Sequence, residues 1–359
     1  MSRIRDFGII PGYLTPGPLN AITDVAGVRV GHTTINRDVE GVPWRTGVTA
    51  IWPHAGNPLL ENVYAAIFPL NGIGEMTARS LIDEWGLLGF PIMLTGTNSV
   101  GIVYHWTLQY LFKHGAKEAG MTSLIAMVAE CDDSNLDGSQ GLAIERDDVY
   151  AALNNASGGP VSEGCVGAGT GMQLFGFKGG IGTSSRMVQV AEKLYTVGAL
   201  VLTNFGIQRE LSVNGVPVGR LLLLSQEEPG AVHEGSCIVV LATDAPLNHR
   251  QCERMAKRGA LGLARTGSTA RDGSGEIIVA FATGNMIVGN AGPEISVRTL
   301  IEGPSDAGTS PLNGLFTAAT EATEEAVYNA LVAAETTTGV DGHVLHAIAH
   351  ERLKALLLR

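Results

Sequence analysis

The chain has 359 residues, of which 45% are hydrophobic and only 16% charged, with a formal net charge of −11. That length holds one large domain or two ordinary ones with ample apolar material for a core, and the acidic balance argues against nucleic acid or an anionic membrane as partner. So low a charge content favours burial of surface in an oligomer over a lone monomer.

The N-terminus, Met1 to Asp6, carries no apolar stretch of the secretory type, and no apolar run approaches the roughly 18 residues of a membrane span. Cys131, Cys165, Cys237 and Cys252 show no CxxC pair and no regular spacing. They read as small buried residues of a reducing compartment, the cytoplasm, with neither a disulfide framework nor a zinc site. The 47 glycines are spread along the chain, which suggests tight turns and close backbone approaches between layers.

Residues up to about Pro53 read as strands and turns. Asn20 to Gly31 alternates turn signals with short β-branched pieces, and Arg45 to Pro53 is a strand stopped by proline. Leu70 to Met76 leads into a helix through about Glu84, and its glycines complete neither the dinucleotide fingerprint nor a P-loop. Pro91 to Leu94 is a buried strand, after which Asn98 or Ser99 caps a helix. Ser123 to Ala129 is another apolar strand. It runs into Glu130, Asp132, Asp133 and Asp137, a cluster without the glycine and terminal glutamate of a calcium loop, which reads as a turn or substrate-facing loop. A short helix follows from Asp147 to Asn154. The glycine-dense stretch from Gly164 to Arg186 imitates a nucleotide loop, but it has no Gly-Lys-Ser/Thr and reads as a closely packed hairpin.

Tyr195 to Gly206 is a buried strand carrying Asn204 near its end, and Gln226 to Glu234 is a polar linker. The linker delivers the chain to Gly235-Ser236, behind which Cys237 to Leu241 form an apolar run rich in β-branched residues. Ser236 therefore takes the first position of a strand buried on both faces. Gly-Ser is also a bond that can break itself: glycine leaves the carbonyl open, the serine oxygen attacks it, and water cleaves the resulting ester. Cleavage leaves Ser236 as an N-terminus with hydroxyl and amine on one residue. A loop-to-strand junction with a capping serine is the plainer alternative on this stretch alone.

Asp244 and Pro246 mark a helix start. Leu247, Cys252, Met255, Ala256, Gly259 and Leu263 give that helix an apolar face, and Arg250, Arg254, Lys257 and Arg258 a basic side that is solvated or subunit-facing. Ser274 to Thr283 begins a strand in which Ser274 and Glu276 point the same way. A glutamate there is half-buried and needs a partner. Helices near Glu324 to Ala334 and from His343 to the C-terminus close the chain, with Leu356 to Leu358 docking on the core or a neighbour. Many strands, two separated groups of helices and no regular βαβ alternation favour two stacked sheets with helices outside.

Taken together, Thr15 to Val25, Arg45 to Ala50, Leu70 to Thr77, Val166 to Met172, Lys178 to Arg186, and Gly235-Ser236 followed by Val240 to Leu247 carry a family likeness. Over nearly its whole length the chain resembles the self-processing serine aminopeptidases, which comprise L-aminopeptidase/D-esterase-amidases and β-aminopeptidases. These are N-terminal-nucleophile-like enzymes related in fold to ornithine acetyltransferases. The resemblance implies a single α/β domain over residues 1–359, a four-layer αββα sandwich, cut into an α-subunit of residues 1–235 and a β-subunit of residues 236–359. It implies assembly of such heterodimers into a tetramer or octamer, without cofactor or metal. Substrates would be small peptides, amides or esters with a free amino end, β-alanyl and D-configured ones included. Ser236 would be the nucleophile and new N-terminus, and Ser274 and Glu276 would relay or hold its proton. Asn204 would donate to the oxyanion, and Glu130 would grip the amino group.

The residues support these roles in part by themselves. A same-face serine and glutamate suit a hydroxyl nucleophile as orienters. An amide donor suits a developing oxyanion, where one lost donor costs roughly 2.7–4 kcal/mol. An acidic side chain favours a free ammonium group, which an internal peptide bond lacks. One departure stands out: where the family pattern has Glu-Thr-aromatic-Asp-Gly, this chain has Glu130-Cys131-Asp132-Asp133-Ser134. Asp132 replaces an aromatic pocket residue on the oxyanion side, and it either strengthens selection for cationic amino ends or reduces activity. An acyltransferase is an alternative, although the related ones cut before threonine. A non-catalytic binding relative is another. A Ser-His-Asp hydrolase is disfavoured, because His233 would be severed from Ser236 by the cut and no GxSxG elbow surrounds the serine.

Overall fold

The computed structural model describes residues 2–223, 235–289, 292–304 and 308–358. The linker expected at Gln226–Glu234 and His233 lie outside the described residues. The strands are β1 (Arg29–Val39), β2 (Val42–Trp52), β3 (Glu61–Pro69), β4 (Leu87–Leu88), β5 (Ile92–Gly96), β6 (Met127–Cys131), β7 (Gln173–Leu174) and β8 (Phe177–Lys178). They continue as β9 (Ile181–Val190), β10 (Lys193–Asn204), β11 (Ser236–Thr243), β12 (Gly275–Val288), β13 (Thr337–Thr338) and β14 (Val344–Leu345). The helices are α1 (Arg79–Trp85), α2 (Val100–Leu111), α3 (Arg146–Asn154), α4 (Val218–Leu223), α5 (His249–Arg265), α6 (Leu312–Ala333) and α7 (His350–Leu357).

Two sheets carry the architecture. One has the order β1-β2-β5-β6 and the other β4-β3-β12-β11-β10-β9. Strand alternation sorts their side chains into three apolar layers. Between the sheets, Ile92, Leu94 and Met127 meet Leu202, Ile238, Val240 and Val279. Outside the first sheet, Val103 and Tyr110 of α2 and Val149 and Leu153 of α3 pack on Val48, Ala50 and Val128. Outside the second, Met255 and Leu263 of α5 and Ala318, Ala322 and Val327 of α6 pack on Val239, Leu241, Ile278 and Ala280. The result is helix, sheet, sheet, helix. It explains the unbroken apolar run after Ser236: Cys237, Val239 and Leu241 face helices, while Ile238, Val240 and Ala242 face the other sheet.

The helix layer presses closely on its sheet, as the glycine content suggests. A Cβ on Gly182 of β9 would lie 1.9 Å from the carbonyl oxygen of Ala326 in α6, so no larger residue lets the helix sit there. Arg186, also on β9, is wholly buried. Its guanidinium donates to Glu321 at 3.0 Å, to Glu325 at 2.7 Å and to the carbonyl oxygen of Pro11 at 2.8 Å. Arg5 adds two bonds of 2.7 Å to Glu325, and Glu321 accepts from the backbone of Tyr13 and Leu14. Burial alone would push Glu325 up, but Arg5 and Arg186 outweigh it and hold the carboxyl below its ordinary range.

Several boundaries differ from the sequence reading. α6 starts at Leu312, well before Glu324; its first half buries Thr320 and Glu321 along with its alanines, which blurs the apolar face. α7 starts at His350, and the residues before it form the short β13–β14 hairpin. Leu356 and Leu357 dock on the core, whereas Leu358 is 63% exposed. β6 begins at Met127, where pairing with β5 begins, rather than at Ser123. α5 begins at His249 under an Asn248 cap, which accepts from Gln251 N–H at 3.0 Å. Asp244 instead accepts from Thr196 N–H at 2.7 Å. The basic side of α5 is paired within the chain: Arg250 and Arg254 reach Glu302, Lys257 reaches Glu253, and Arg258 lies over the Phe316 ring. No helix among the described residues is long and apolar enough to cross a membrane.

Removing one side of the buried ion cluster strands charge in the core. Arg186→Met is expected to lower unfolding free energy by about 3–5 kcal/mol in chemical denaturation. A loss below about 1 kcal/mol would mean that Arg5 alone neutralises both glutamates.

Candidate active site

Ser236 opens β11 between two strands of opposite sense. It is paired antiparallel with Asn204, the last residue of β10, and parallel with Gly275, the first of β12. Those ladders leave Ser236 only 6% exposed at the wall of a cavity of about 440 Å³. Thr97, Asn98, Glu130 and Asp132 line the same cavity. The preceding peptide is equally constrained. The carbonyl oxygen of Gly235 accepts from Gly275 N–H at 3.2 Å. A Cβ on residue 235 would fall 1.6 Å from the carbonyl oxygen of Asn204, so this position admits only glycine.

Residues paired across neighbouring strands point to one face. Asn204 and Ser236 therefore stand side by side toward the space between the sheets, as Leu202 and Ile238 do further along. The Asn204 amide is oriented by two backbone partners: Oδ1 accepts from Gln173 N–H at 3.1 Å, and Nδ2 donates to the carbonyl oxygen of Asp132 at 2.8 Å. The second Nδ2 hydrogen is left over. Behind Gln173, the fully buried Lys178 donates to the carbonyl oxygens of Gly169, Met172 and Gly179 at 3.2, 2.7 and 2.8 Å. The glycine-dense segment is thus the expected hairpin, β7–β8, clamped by an internal ammonium group. Sequence reasoning missed Lys178 as its organiser, since a lysine among glycines reads as a phosphate contact or a surface residue.

Ser274 and Glu276 come together as the alternation requires. The Ser274 hydroxyl donates to Glu276 Oε1, both residues are buried, and Glu276 Oε2 is buried without a partner. Burial pushes the Glu276 pKa up, against the Ser274 hydrogen bond. The expectation of a half-buried glutamate is exceeded: it is 1% exposed. Because Ser236 is in register with Gly275, Glu276 is one residue out of step and shares the helix-facing side with Cys237 and Ile278. Among the described residues no hydrogen bond joins Ser236 to Ser274 or Glu276. The Ser236 hydroxyl lies against the thiol of Cys131, whose own ionisation burial pushes well up.

Glu130, next to last in β6, lies beside the cavity and is 4% exposed. Oε1 accepts from Glu75 N–H at 2.8 Å and Oε2 from the Thr97 hydroxyl. Thr97 belongs to the turn before α2, which has no side-chain cap from Asn98 or Ser99. Burial raises the Glu130 pKa, its two hydrogen bonds oppose that, and the charges of Asp132 and Glu75 add to it. The rest of the acidic cluster divides its tasks. Asp132 is exposed and accepts from Ser134 N–H at 2.9 Å, while Asp137 accepts from Arg45 N–H at 2.9 Å and from the Ser139 hydroxyl at 2.5 Å. Asp133 is buried with Oδ2 unpartnered, and burial pushes its pKa up to about 8.

Comparison with known proteins places this geometry. Residues 20–345 match the profile of Peptidase family S58. The chain is 43% identical over 371 residues to the beta-peptidyl aminopeptidase BapA of Sphingosinicella xenopeptidilytica, covering 99% of this chain and 90% of that protein. Among solved structures it resembles the beta-aminopeptidase of Burkholderia sp. with a TM-score of 0.89 at 40% identity, over 99% of this chain and 98% of the other. The L-aminopeptidase D-Ala-esterase/amidase of Ochrobactrum anthropi, described as a variant of the Ntn hydrolase fold, gives a TM-score of 0.88 at 39% identity, again over 99% and 98%.

Asp133 carries a pH signature. An acid whose folded pKa stands near 8 against 3.8 elsewhere favours the fold in its protonated form, so its stability cost grows from pH 3.8 to about 8 and is constant above. Asp133→Asn is therefore expected to gain stability over the parent across that window, followed by thermal unfolding. A difference that stays flat between about pH 5 and pH 9 would show that Asp133 is already ionised in the fold.

Proposed function

This chain belongs to Peptidase family S58 and is a serine aminopeptidase/amidase; on that premise we propose that Ser236 is its nucleophile, exposed as an N-terminus by self-cleavage. In the precursor the Ser236 hydroxyl attacks the Gly235 carbonyl carbon, and Gly275 N–H stabilises the oxyanion that forms. The carbon–nitrogen bond then breaks, the nitrogen takes up a proton, and the resulting ester is hydrolysed by water. The products are residues 1–235 and residues 236–359 of one αββα domain. The low charge content supports further assembly of these heterodimers into a tetramer or octamer, and four free cysteines are in keeping with the cytoplasm.

In turnover, the substrate's ammonium group is held by Glu130 and its acyl carbonyl is attacked by the Ser236 hydroxyl. The free amine on Ser236 is the nearest base to that hydroxyl. Ser274 and Glu276 flank Gly275 on the neighbouring strand but lie on its helix-facing side in the uncut chain, so they hold the proton that the amine receives only after cleavage frees residue 236 to move. The spare hydrogen of Asn204 Nδ2 meets the oxyanion, and the leaving amine departs with the proton; water then attacks the acyl–Ser236 ester, giving up its proton to the Ser236 amine, and the acid leaves as the serine hydroxyl is restored. The need for a free ammonium group makes the enzyme an exopeptidase, and relatives named for β-peptidyl substrates support β-aminoacyl amides among its substrates. One juxtaposition supports this above all: a serine stands on a cavity wall that also carries a buried carboxylate, with an amide donor paired to it on the neighbouring strand.

Purified protein is expected to give two fragments on a denaturing gel and by intact mass, split between Gly235 and Ser236. Ser236→Ala and Gly235→Ala should each stay whole, the first for want of a nucleophile and the second through collision with the Asn204 carbonyl. A wild-type chain that stays whole and releases no amine from aminoacyl anilides would sink the proposal. Glu130→Ala should raise KM for free-amine substrates by about tenfold or more. With the parent enzyme, affinity should fall as pH drops through the Glu130 pKa, above the usual glutamate range, and Glu130→Gln should abolish that limb. An unchanged KM would remove Glu130 from the anchor role.

A further inference from the structure

The cavity beside Ser236 carries two carboxylates, Glu130 and Asp132, and no lysine, arginine or histidine among the described residues that line it. Glu130 is buried, with each oxygen already accepting one hydrogen bond. Asp132 differs: its side chain is exposed, Ser134 N–H fixes Oδ1, and among the described residues Oδ2 meets no donor. Its main chain is tied to the catalytic wall, because the Asp132 carbonyl accepts from Asn204 Nδ2 at 2.8 Å. A carboxylate is thereby held close to the amide that receives the oxyanion.

That placement has an electrostatic cost. Negative charge developing on the substrate carbonyl near an unpaired carboxylate is disfavoured, weakly while water reaches Asp132 and more strongly once a bound substrate covers it. Among the described lining residues the Ser236 amine, once it has taken the proton, is the one group that can offset it, and a second carboxylate calls for a further cation that can arrive with the substrate. We propose that Asp132 is a specificity-determining residue that binds a second cationic group on the acyl part of the substrate, so that the preferred substrates are amides of diamino acids. One ammonium group sits on Glu130 and the other on Asp132. The two carboxylates act on one another: after burial and its hydrogen bonds, the charge of Asp132 helps to hold Glu130 up. A doubly cationic acyl group relieves both.

This rests on the reading of Ser236 as nucleophile, and the test separates the two. Lysyl and norleucyl p-nitroanilides have side chains of the same class and differ by the terminal ammonium group. The self-cleaved wild-type enzyme is expected to prefer the lysyl amide in kcat/KM by roughly tenfold, with part of the gain in kcat because the cation offsets the charge beside the oxyanion. Asp132→Asn keeps an acceptor for Ser134 N–H and should bring the two amides toward parity. Wild-type rates within about twofold of each other overturn the proposal without any variant, as does an Asp132→Asn enzyme that keeps the lysyl preference. Equal hydrolysis of both amides sinks only the role of Asp132. Hydrolysis of neither sinks the nucleophile reading with it.

Discussion

Ser236 is held at the start of β11 by two ladders, antiparallel to Asn204 and parallel to Gly275, and the rest of the site takes its geometry from that double register. Antiparallel pairing puts the Asn204 amide beside the serine hydroxyl. Parallel pairing puts the Gly275 N–H on the carbonyl before it and turns Glu276 to the other face. The fit between β10 and β11 also leaves no room for a side chain at residue 235. A slip of one residue in either ladder would move the serine to the helix-facing side, where Cys237 now sits.

The acidic stretch after β6 shows how burial turns similar residues to different ends. Glu130 is buried against one hydroxyl and one N–H, Asp137 closes a loop onto Arg45, and Asp133 is sealed in with an oxygen that finds no partner. Asp132 is the exposed one of these carboxylates and lines the cavity beside the buried Glu130. Desolvation raises Glu130 and Asp133, and what separates them is the number of donors each one meets.

Much of this was legible in the sequence. The apolar run behind Ser236 gave a strand buried on both faces, and the spacing of Ser274 and Glu276 gave a pair on one side of β12, joined by a hydrogen bond. The stacked sheets with outer helices followed from the order of elements. Three things were hidden. Alternation orders side chains within a strand but says nothing of register between strands, so the separation of Glu276 from the Ser236 face was not readable. The first half of α6 buries Thr320 and Glu321 beside small alanines, so its apolar face has little contrast. Lys178 became a buried clamp only once three carbonyls converged on it, which local sequence cannot announce.

The Arg186 cluster bears on how the chain would behave once cut before Ser236, as proposed. Arg5 and Arg186 lie before Ser236, whereas Glu321 and Glu325 lie after it. β11 and β12 are likewise inserted between β10 and β3, so the shorter of the two proposed fragments would form the middle of a sheet whose flanks would belong to the longer one. Two such fragments cannot part without stripping ladders and leaving charge in the core. The peptide bond at the cut would then matter for assembly and hardly at all for persistence. It makes docking of the central strands intramolecular while the chain folds, and once the sheet is complete it is dispensable. Unfolded after cleavage, the same polypeptides would face a second-order search for one another, and recovery would depend on concentration.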